Sequence, residues 1–325
     1  MKSYRSLSAL ALLAMASALP VWAQSPAWPT KPLKLVIPFP PAGATDTLGR
    51  TLAQKLGDAL GQPVVVENKP GAGGGIGSDA VAKAPADGYT LLMATTSTHS
   101  IGPSLNPKLA YNAEKDFVPV VWVANSTNIL VAALNVPATN VAELVAYAKA
   151  HPGQLNYASS GNGTIVHLTG ELFSSMAGIK MTHVPYKGTA LAVPDLMSGQ
   201  VSIMFDNIVS ALPYIKGGKL KALGISGAKR SPLVPDVPTV AESGVPGFVS
   251  DTYFGVFAPV GTPREVVTRL NTAINRILES PDFRDKLAAL GAEPAGGSSD
   301  RFATEIRGET TKWAKVIKDA GVKIE

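Results

Sequence analysis

Strand-length apolar runs alternate with stretches of helical period along the chain, and this alternation restricts the possible folds more than any other feature of the sequence. Leu33 to Ile37 reads as a strand. After a loop, Leu48, Leu52, Leu56 and Leu60 recur at helical spacing, and Gly61 stands where a C-capping glycine belongs. Val64 to Val66, Thr90 to Ala94 and Phe117 to Val123 read as further strands, and the glycine-rich stretch from Gly71 to Gly77 feeds a short helix. Near Ser126 the pattern restarts with a strand from Ile129 to Ala133 and a helix that Asn140 and Glu143 can cap reciprocally and that ends at His151-Pro152-Gly153. Asn156 to Ala158 is a strand, Thr164 to Met176 a helix, and Ser202 to Phe205 and Leu220 to Ile225 are strands. After Gly247 come a strand from Tyr253 to Ala258 and three helices. Thr262-Pro263 opens the first and Ser280-Pro281 the second, and Phe302, Ile306, Trp313 and Ile317 mark the face of the third. The class is α/β, with largely parallel sheets flanked by helices.

The amino terminus reads as an export signal. Lys2 and Arg5 precede an apolar run from Leu7 to Leu19, and Val21-Trp22-Ala23 supplies a cleavage site, so residues 1–23 are a signal peptide and the mature chain starts at Gln24. That run is too short to cross a bilayer, which takes about 20 apolar residues. With no cysteine, the chain has neither disulfides nor a lipid-attachment thiol. Roughly 300 residues remain, enough for two lobes with a core each. The 29 Lys and Arg exceed the 24 Asp and Glu by a net charge of +5. Lys2 and Arg5 belong to the signal, and the small remaining excess is spread without a basic block, which speaks against nucleic acid as a partner. The expected protein is periplasmic, and a monomer because no heptad seam offers a dimer contact.

Enzyme signatures fail on spacing. Gly71 and Gly73 would need a third glycine at Ile76 for a dinucleotide fingerprint, and Gly218-Lys219 is followed by Leu220 rather than the Ser or Thr of a phosphate loop. Ser160 lacks the flanking glycines of a nucleophile elbow, and His99, His151, His167 and His183 show no metal-ligand spacing. No catalytic residue, cofactor or metal is therefore expected. The alternative, a periplasmic hydrolase of organic-acid esters or amides, requires an activated nucleophile with an oriented base, which the sequence does not display.

Three loops are candidates for binding. Phe39-Pro40-Pro41-Ala42-Gly43-Ala44-Thr45-Asp46 lies between the first strand and helix, where a crevice forms in α/β sheets. Its prolines stiffen the loop, its small residues admit a ligand to the backbone, and Thr45 or Asp46 can cap the helix. Asp46 is either such a cap or a ligand contact. Ser97 and Thr98 follow the third strand and face the same crevice, ahead of His99 as candidates. Ser160, Gly161, Asn162, Gly163 and Thr164 open a helix and offer amides and hydroxyls to an anion, or else form a capped turn. Asp206 ends a strand and is either a ligand-facing carboxylate or a helix cap.

The proline loop resembles the Pro-Pro-Gly-Gly-x-x-Asp signature of the Bug proteins, the substrate-binding components of tripartite tricarboxylate transporters. The resemblance covers essentially the whole mature chain. It continues through Val65 to Gly74, Ala86-Asp87-Gly88-Tyr89-Thr90-Leu91, Asp116 to Val120, His183-Val184-Pro185-Tyr186-Lys187-Gly188, Asp236-Val237-Pro238-Thr239 and Ala258 to Pro263. One departure is Ala42, where the family usually has glycine; its Cβ disfavours a left-handed backbone. The resemblance implies a two-lobed periplasmic binding protein of type II. Residues 24–124 and 250–325 would form one lobe and residues 125–249 the other, with crossings at Trp122 to Ser126 and Gly247 to Tyr253. It further implies capture of a small carboxylate, with Phe39, Ala42, Gly43, Ala44, Asp46, Ser97, Thr98, Ser160 to Thr164 and Asp206 at the ligand. One carboxylate would lie between the loop around Ala42 to Ala44 and the helix start at Gly161 to Thr164. Delivery would be to the membrane components of such a transporter.

Overall fold

The computed structural model describes residues 28–323, and the expected signal peptide lies outside the described residues. β1 (Leu33–Ile37) passes through the proline loop into α1 (Ala44–Leu60), whose Leu48, Leu52, Leu56 and Leu60 are buried and whose C-capping Gly61 is left-handed. β2 (Val64–Asn68) and β3 (Thr90–Thr95) flank β1 in parallel, with Leu33 opposite Val64 and Lys34 opposite Thr90. A second parallel set is formed by β5 (Asn156–Ser159), with β6 (Thr182–Pro185) on one side and β7 (Ile203–Asn207) on the other.

Between the two parallel sets the pairing is antiparallel. β9 (Asp251–Pro259) lies against β3 and β4 (Phe117–Ala132), and β4 lies in turn against β7, giving the order β2-β1-β3-β9-β4-β7-β5-β6. β8 (Lys221–Ile225) and β10 (Ala292–Pro294) also pair with β4. The expected parallel sheets are thus the two outer parts of a mixed sheet, whose centre is antiparallel because β4 and β9 run in opposite directions.

β4 corrects the sequence reading most. The apolar pattern breaks at Asn125 to Asn128 and suggests two strands, yet one strand of 16 residues runs through. Its polar residues remain in the ladder: Phe117 to Thr127 pair with β9, and Asn128 to Ala132 pair with β7. Ser126 Oγ donates to the Gly291 carbonyl, and the Asn128 amide is bonded by Ser226 Oγ, so these buried groups are satisfied and no turn is needed.

Two clusters of buried side chains lie along the sheet. One gathers Val36, Leu92, Phe117, Trp122, Phe257 and Phe302; the other gathers Ile129, Leu144, Tyr157, Phe173, Phe205 and Phe248. The last helix, α10 (Ser299–Ala320), contributes Phe302 to the first and Trp313 and Ile317 to the second, so it spans both.

The helices between are α2 (Gly75–Ala82), α3 (Gly102–Leu105), α4 (Val141–Ala150), α5 (Ile165–Ala177), α6 (Thr189–Ser198), α7 (Ile208–Lys216), α8 (Arg264–Glu279) and α9 (Pro281–Leu290). At α4 the expected reciprocal cap is shifted by one residue. Asn140 accepts from the Glu143 amide, but the Glu143 carboxylate reaches back to the amide and hydroxyl of Thr139. α6 escaped the sequence reading, and Pro194 stands inside it, where proline normally argues against helix; α7, expected only as a helix for Asp206 to cap, carries Pro213 and is capped by Asn207 instead.

Candidate functional site

Five chain segments that follow the carboxyl ends of parallel strands converge on one cleft, the place where α/β sheets take ligands. They bring Phe39 to Pro41 and Gly43 to Thr45 after β1, Ser97 after β3, Ser160 and the start of α5 after β5, Gly188 to Ala190 after β6, and Asp206, Asn207 and Ser210 at the end of β7. The inner cleft is narrow, with a volume of ≈ 50 Å³. An outer recess of ≈ 260 Å³ shares Phe39, Pro40 and Ser160 with it and adds Gly73, Asn162 and Lys187.

Neither Lys nor Arg lines the inner cleft, yet its electrostatics suit an anion. α1 begins at Gly43 and α6 at Gly188, and neither start has a side-chain cap. At α6 the Leu191 amide bonds back to the Gly188 carbonyl, but the amides before it, like the first amides of α1, have no capping side chain, and the positive ends of two helix dipoles meet at the cleft. Gly188 is required by its φ of 135° and by contact, because a Cβ there would stand 2.5 Å from Pro40 Cγ across the cleft.

Two side chains at the end of β7 add polarity. The Val209 amide donates to Asn207 Oδ1, which fixes the amide orientation and leaves buried Nδ2 as a donor without a partner. Asp206 is 2% exposed; its carboxylate accepts from Thr189 Oγ1 at 3.1 Å, the Asn207 amide at 2.8 Å and Ser210 Oγ at 2.8 Å. Burial raises its pKa to about 6 against the lowering effect of these bonds.

Of the residues singled out in the sequence, Phe39, Gly43, Ala44, Ser97, Ser160 and Asp206 line the inner cleft, and Gly161 and Asn162 the outer recess. Gly163 faces a separate small recess beside Gly102 and Leu105. Ala42, Asp46, Thr98 and Thr164 line neither the cleft nor the outer recess. Asp46 is a staple of the proline loop: it accepts from the Ala42 amide, Arg50 Nε and Asn68 Nδ2. Burial pushes its pKa up, but these bonds win and hold it below the ordinary value. Its bond to the Ala42 amide secures that residue in the left-handed region, at φ 66°, despite its Cβ. Neither Thr45 nor Asp46 is the helix cap; Gly43 takes that position.

Thr98 is occupied with β3, its hydroxyl donating to the Thr95 carbonyl, and Thr164 caps α5 by accepting from the His167 amide. Ser97 Oγ accepts from the Ile165 amide at 2.9 Å, which consumes another first-turn donor of α5. At the carboxylate position expected between Ala42 to Ala44 and Gly161 to Thr164, two first-turn amides of α5, those of Ile165 and His167, are therefore already occupied. The uncapped start is that of α6, which the sequence reading passed over although the His183 to Gly188 motif leads into it. Asn207 was missed too; its signal is a polar residue directly after Asp206 at a strand-to-helix junction. His99 lines neither the cleft nor the outer recess, and it is not a solvated loop residue. It is buried against Phe257 and Phe117, and burial pushes its pKa down to about 3.

Residues 48–322 match the sequence profile described as tripartite tricarboxylate transporter family receptor. The chain is 40% identical over 299 residues to the protein BugT of Bordetella pertussis, covering 92% of each. Among solved structures it is similar to R. palustris Rpa4515 with adipate, at a TM-score of 0.89 and 40% identity, covering 91% of this chain and 99% of that one. It is also similar to MatC of Rhodopseudomonas palustris with bound malate, at a TM-score of 0.85 and 37% identity, covering 89% and 100%.

Proposed function

Because the chain belongs to the tripartite tricarboxylate transporter receptor family, a family of solute-binding receptors and not enzymes, we propose that it captures a small organic acid outside the cytoplasmic membrane and delivers it to the membrane components of such a transporter. The observation that carries this reading is the meeting of two uncapped helix starts, at Gly43 and Gly188, in a cleft without a cationic side chain. A carboxylate there accepts from backbone amides of both helices and from Asn207 Nδ2, and it is recognised through neutral hydrogen bonds. The narrow inner cleft favours an unbranched acid. A second carboxylate at the far end of such a ligand reaches the outer recess, where Lys187 stands, in keeping with the adipate and malate of the two neighbours. Asp206 favours a ligand that brings a hydrogen-bond donor, such as a hydroxyl, beside its carboxylate.

The two core clusters act as lobes that close on the ligand, residues 24–124 and 250–325 on one side and 125–249 on the other, with the end of α10 crossing over. Thermal shift against a library of mono- and dicarboxylates identifies the ligand, since saturation at a hundred times its Kd stabilises by about 2.7 kcal/mol. Asn207→Asp then tests the mode. The new carboxylate keeps an oxygen for the Val209 amide but replaces the free donor with negative charge, so affinity should fall at least tenfold; because the charge is buried beside Asp206 the ligand-free melting temperature should fall as well, and affinity is measured well below it. Unchanged affinity would remove the carboxylate from this end of the cleft.

A further inference from the structure

Behind the turn that carries Ser160 to Asn162, three nearly parallel rings pack together. Tyr157 of β5 stacks on His183 of β6 at 4.9 Å, and His183 stacks on His167 of α5 at 4.0 Å with 13° between the planes. Hydrogen bonds assign the tautomers. Ser159 Oγ accepts from the Gly161 amide at 3.1 Å and lies 2.6 Å from His183 Nε2. The fully buried Ser159 hydroxyl satisfies its own proton by donating it to Nε2, so His183 carries its proton on Nδ1. His167 Nδ1 accepts from the Gly163 amide at 3.2 Å, so its proton is on Nε2, which faces Glu171 at 3.9 Å. The other titratable groups in contact with the pair are Tyr157 and Glu171, themselves joined by a hydrogen bond from the Tyr157 hydroxyl. A serine bonded to a histidine invites comparison with a catalytic dyad, but this hydroxyl is sealed from the cleft and serves the turn.

We propose that His167 and His183 are positioning residues of the cleft: as a stacked neutral pair of opposite tautomers they hold the Ser160 to Gly163 turn in place, and protonation of either ring releases it. This rests on the cleft being the ligand site only for its functional consequence, an opening of the cleft in acid. His167 spends a lone pair directly on the Gly163 amide, which an imidazolium cannot give, and His183 spends one on the Ser159 hydroxyl; protonated His183 points a second proton at Ser159 Oγ and strands the buried hydroxyl proton beside the Gly161 amide. Burial lowers both pKa values to about 4, and for His183 the neighbouring His167 lowers it further while Glu171 opposes. In a released turn the rings return toward an ordinary value of about 6.5. The released state then binds the proton more tightly, so the held turn loses ground as pH falls below about 6.5 and continues to do so down to about 4.

The test needs no ligand, so its failure leaves the proposed capture standing. Side-chain ¹⁵N NMR of the purified protein at pH 7.5 should show two neutral rings, His183 protonated at Nδ1 and His167 at Nε2. Exchange protection of the Gly161 and Gly163 amides, corrected for intrinsic rates, should fall at least tenfold between pH 7 and pH 5. Asn places an oxygen near Nδ1 and Gln near Nε2, so His167→Asn with His183→Gln should retain the acceptors without the proton and flatten that profile. Matching tautomers, an imidazolium at pH 7.5, or protection that stays constant in the unaltered protein would each overturn the proposal. So would an unaltered pH profile in the double variant.

Discussion

Asp206 carries a charge that the fold does not welcome. Its folded pKa of about 6 lies above its ordinary 3.8, so the folded protein binds this proton more tightly than the unfolded chain does. By linkage, the stability that protonation confers is complete below about pH 3.8 and is lost as pH rises through about 6. Asp206→Asn keeps an oxygen for Thr189 and the Asn207 amide and offers an amide to Ser210. It should therefore stabilise the ligand-free protein at pH 7.5 by on the order of 2 kcal/mol, a gain that vanishes near pH 4. Calorimetric melting of both proteins across that range checks this; a gain of equal size at pH 4 would assign it to packing instead. That such a carboxylate persists at the cleft fits a role in recognition, since sites that handle ligands carry strain of this kind.

The helices α1 and α6 forgo the stability of a side-chain cap, in keeping with the proposed use of their amides. Both start on glycine without a side-chain cap, although Ser, Thr, Asp or Asn at that position stabilises a helix. Gly43 has an ordinary φ of −84°, and the nearest atom to an added Cβ is the Pro40 carbonyl oxygen at 3.9 Å, so a serine fits there. Gly43→Ser should raise ligand-free stability by about a few tenths of a kcal/mol. It should also lower ligand affinity about tenfold, because the new hydroxyl takes the amide meant for the carboxylate. Paired melting and calorimetric titration read both effects. A rise in stability with affinity intact would mean the amides of α1 do not face the ligand.

At the scale of the whole molecule, β4 and α10 each contribute to both core clusters, and β9 pairs along β4. β4 changes partners between Thr127 and Asn128, and its pairing with β9 is irregular between Trp122 and Ala124, next to that handover. Such an irregularity adds local twist and gives a strand a place to bend. Ligand should therefore draw the clusters together by rotation about β4 and β9, visible in solution scattering as a smaller radius of gyration. No change with ligand verified as bound would count against closure. α10 limits the amplitude, because Phe302 is anchored in one cluster and Trp313 in the other.

Much of this architecture is written in local pattern. The leucines of α1, the Gly61 cap, the strands around the proline loop and the order of motifs needed nothing beyond spacing and turn chemistry, because those features follow from which residues a helix or strand exposes. Part of the inner cleft's lining was also legible, in Phe39, Gly43, Ala44, Ser97, Ser160 and Asp206. What sequence could not decide is where each polar group spends its hydrogen bonds. Asp46 reads as cap or ligand contact, and its third use, as a staple of the loop, is visible only once Arg50, Asn68 and the Ala42 amide are seen around it. The start of α5 looks open until Ser97, 68 residues earlier in the chain, is found on its amide. The continuity of β4 through Asn125 to Asn128, the open start of α6 and the tautomers of His167 and His183 are of the same kind. Each depends on partners brought from distant positions, and only the tertiary structure says which donors and acceptors are left over for a ligand.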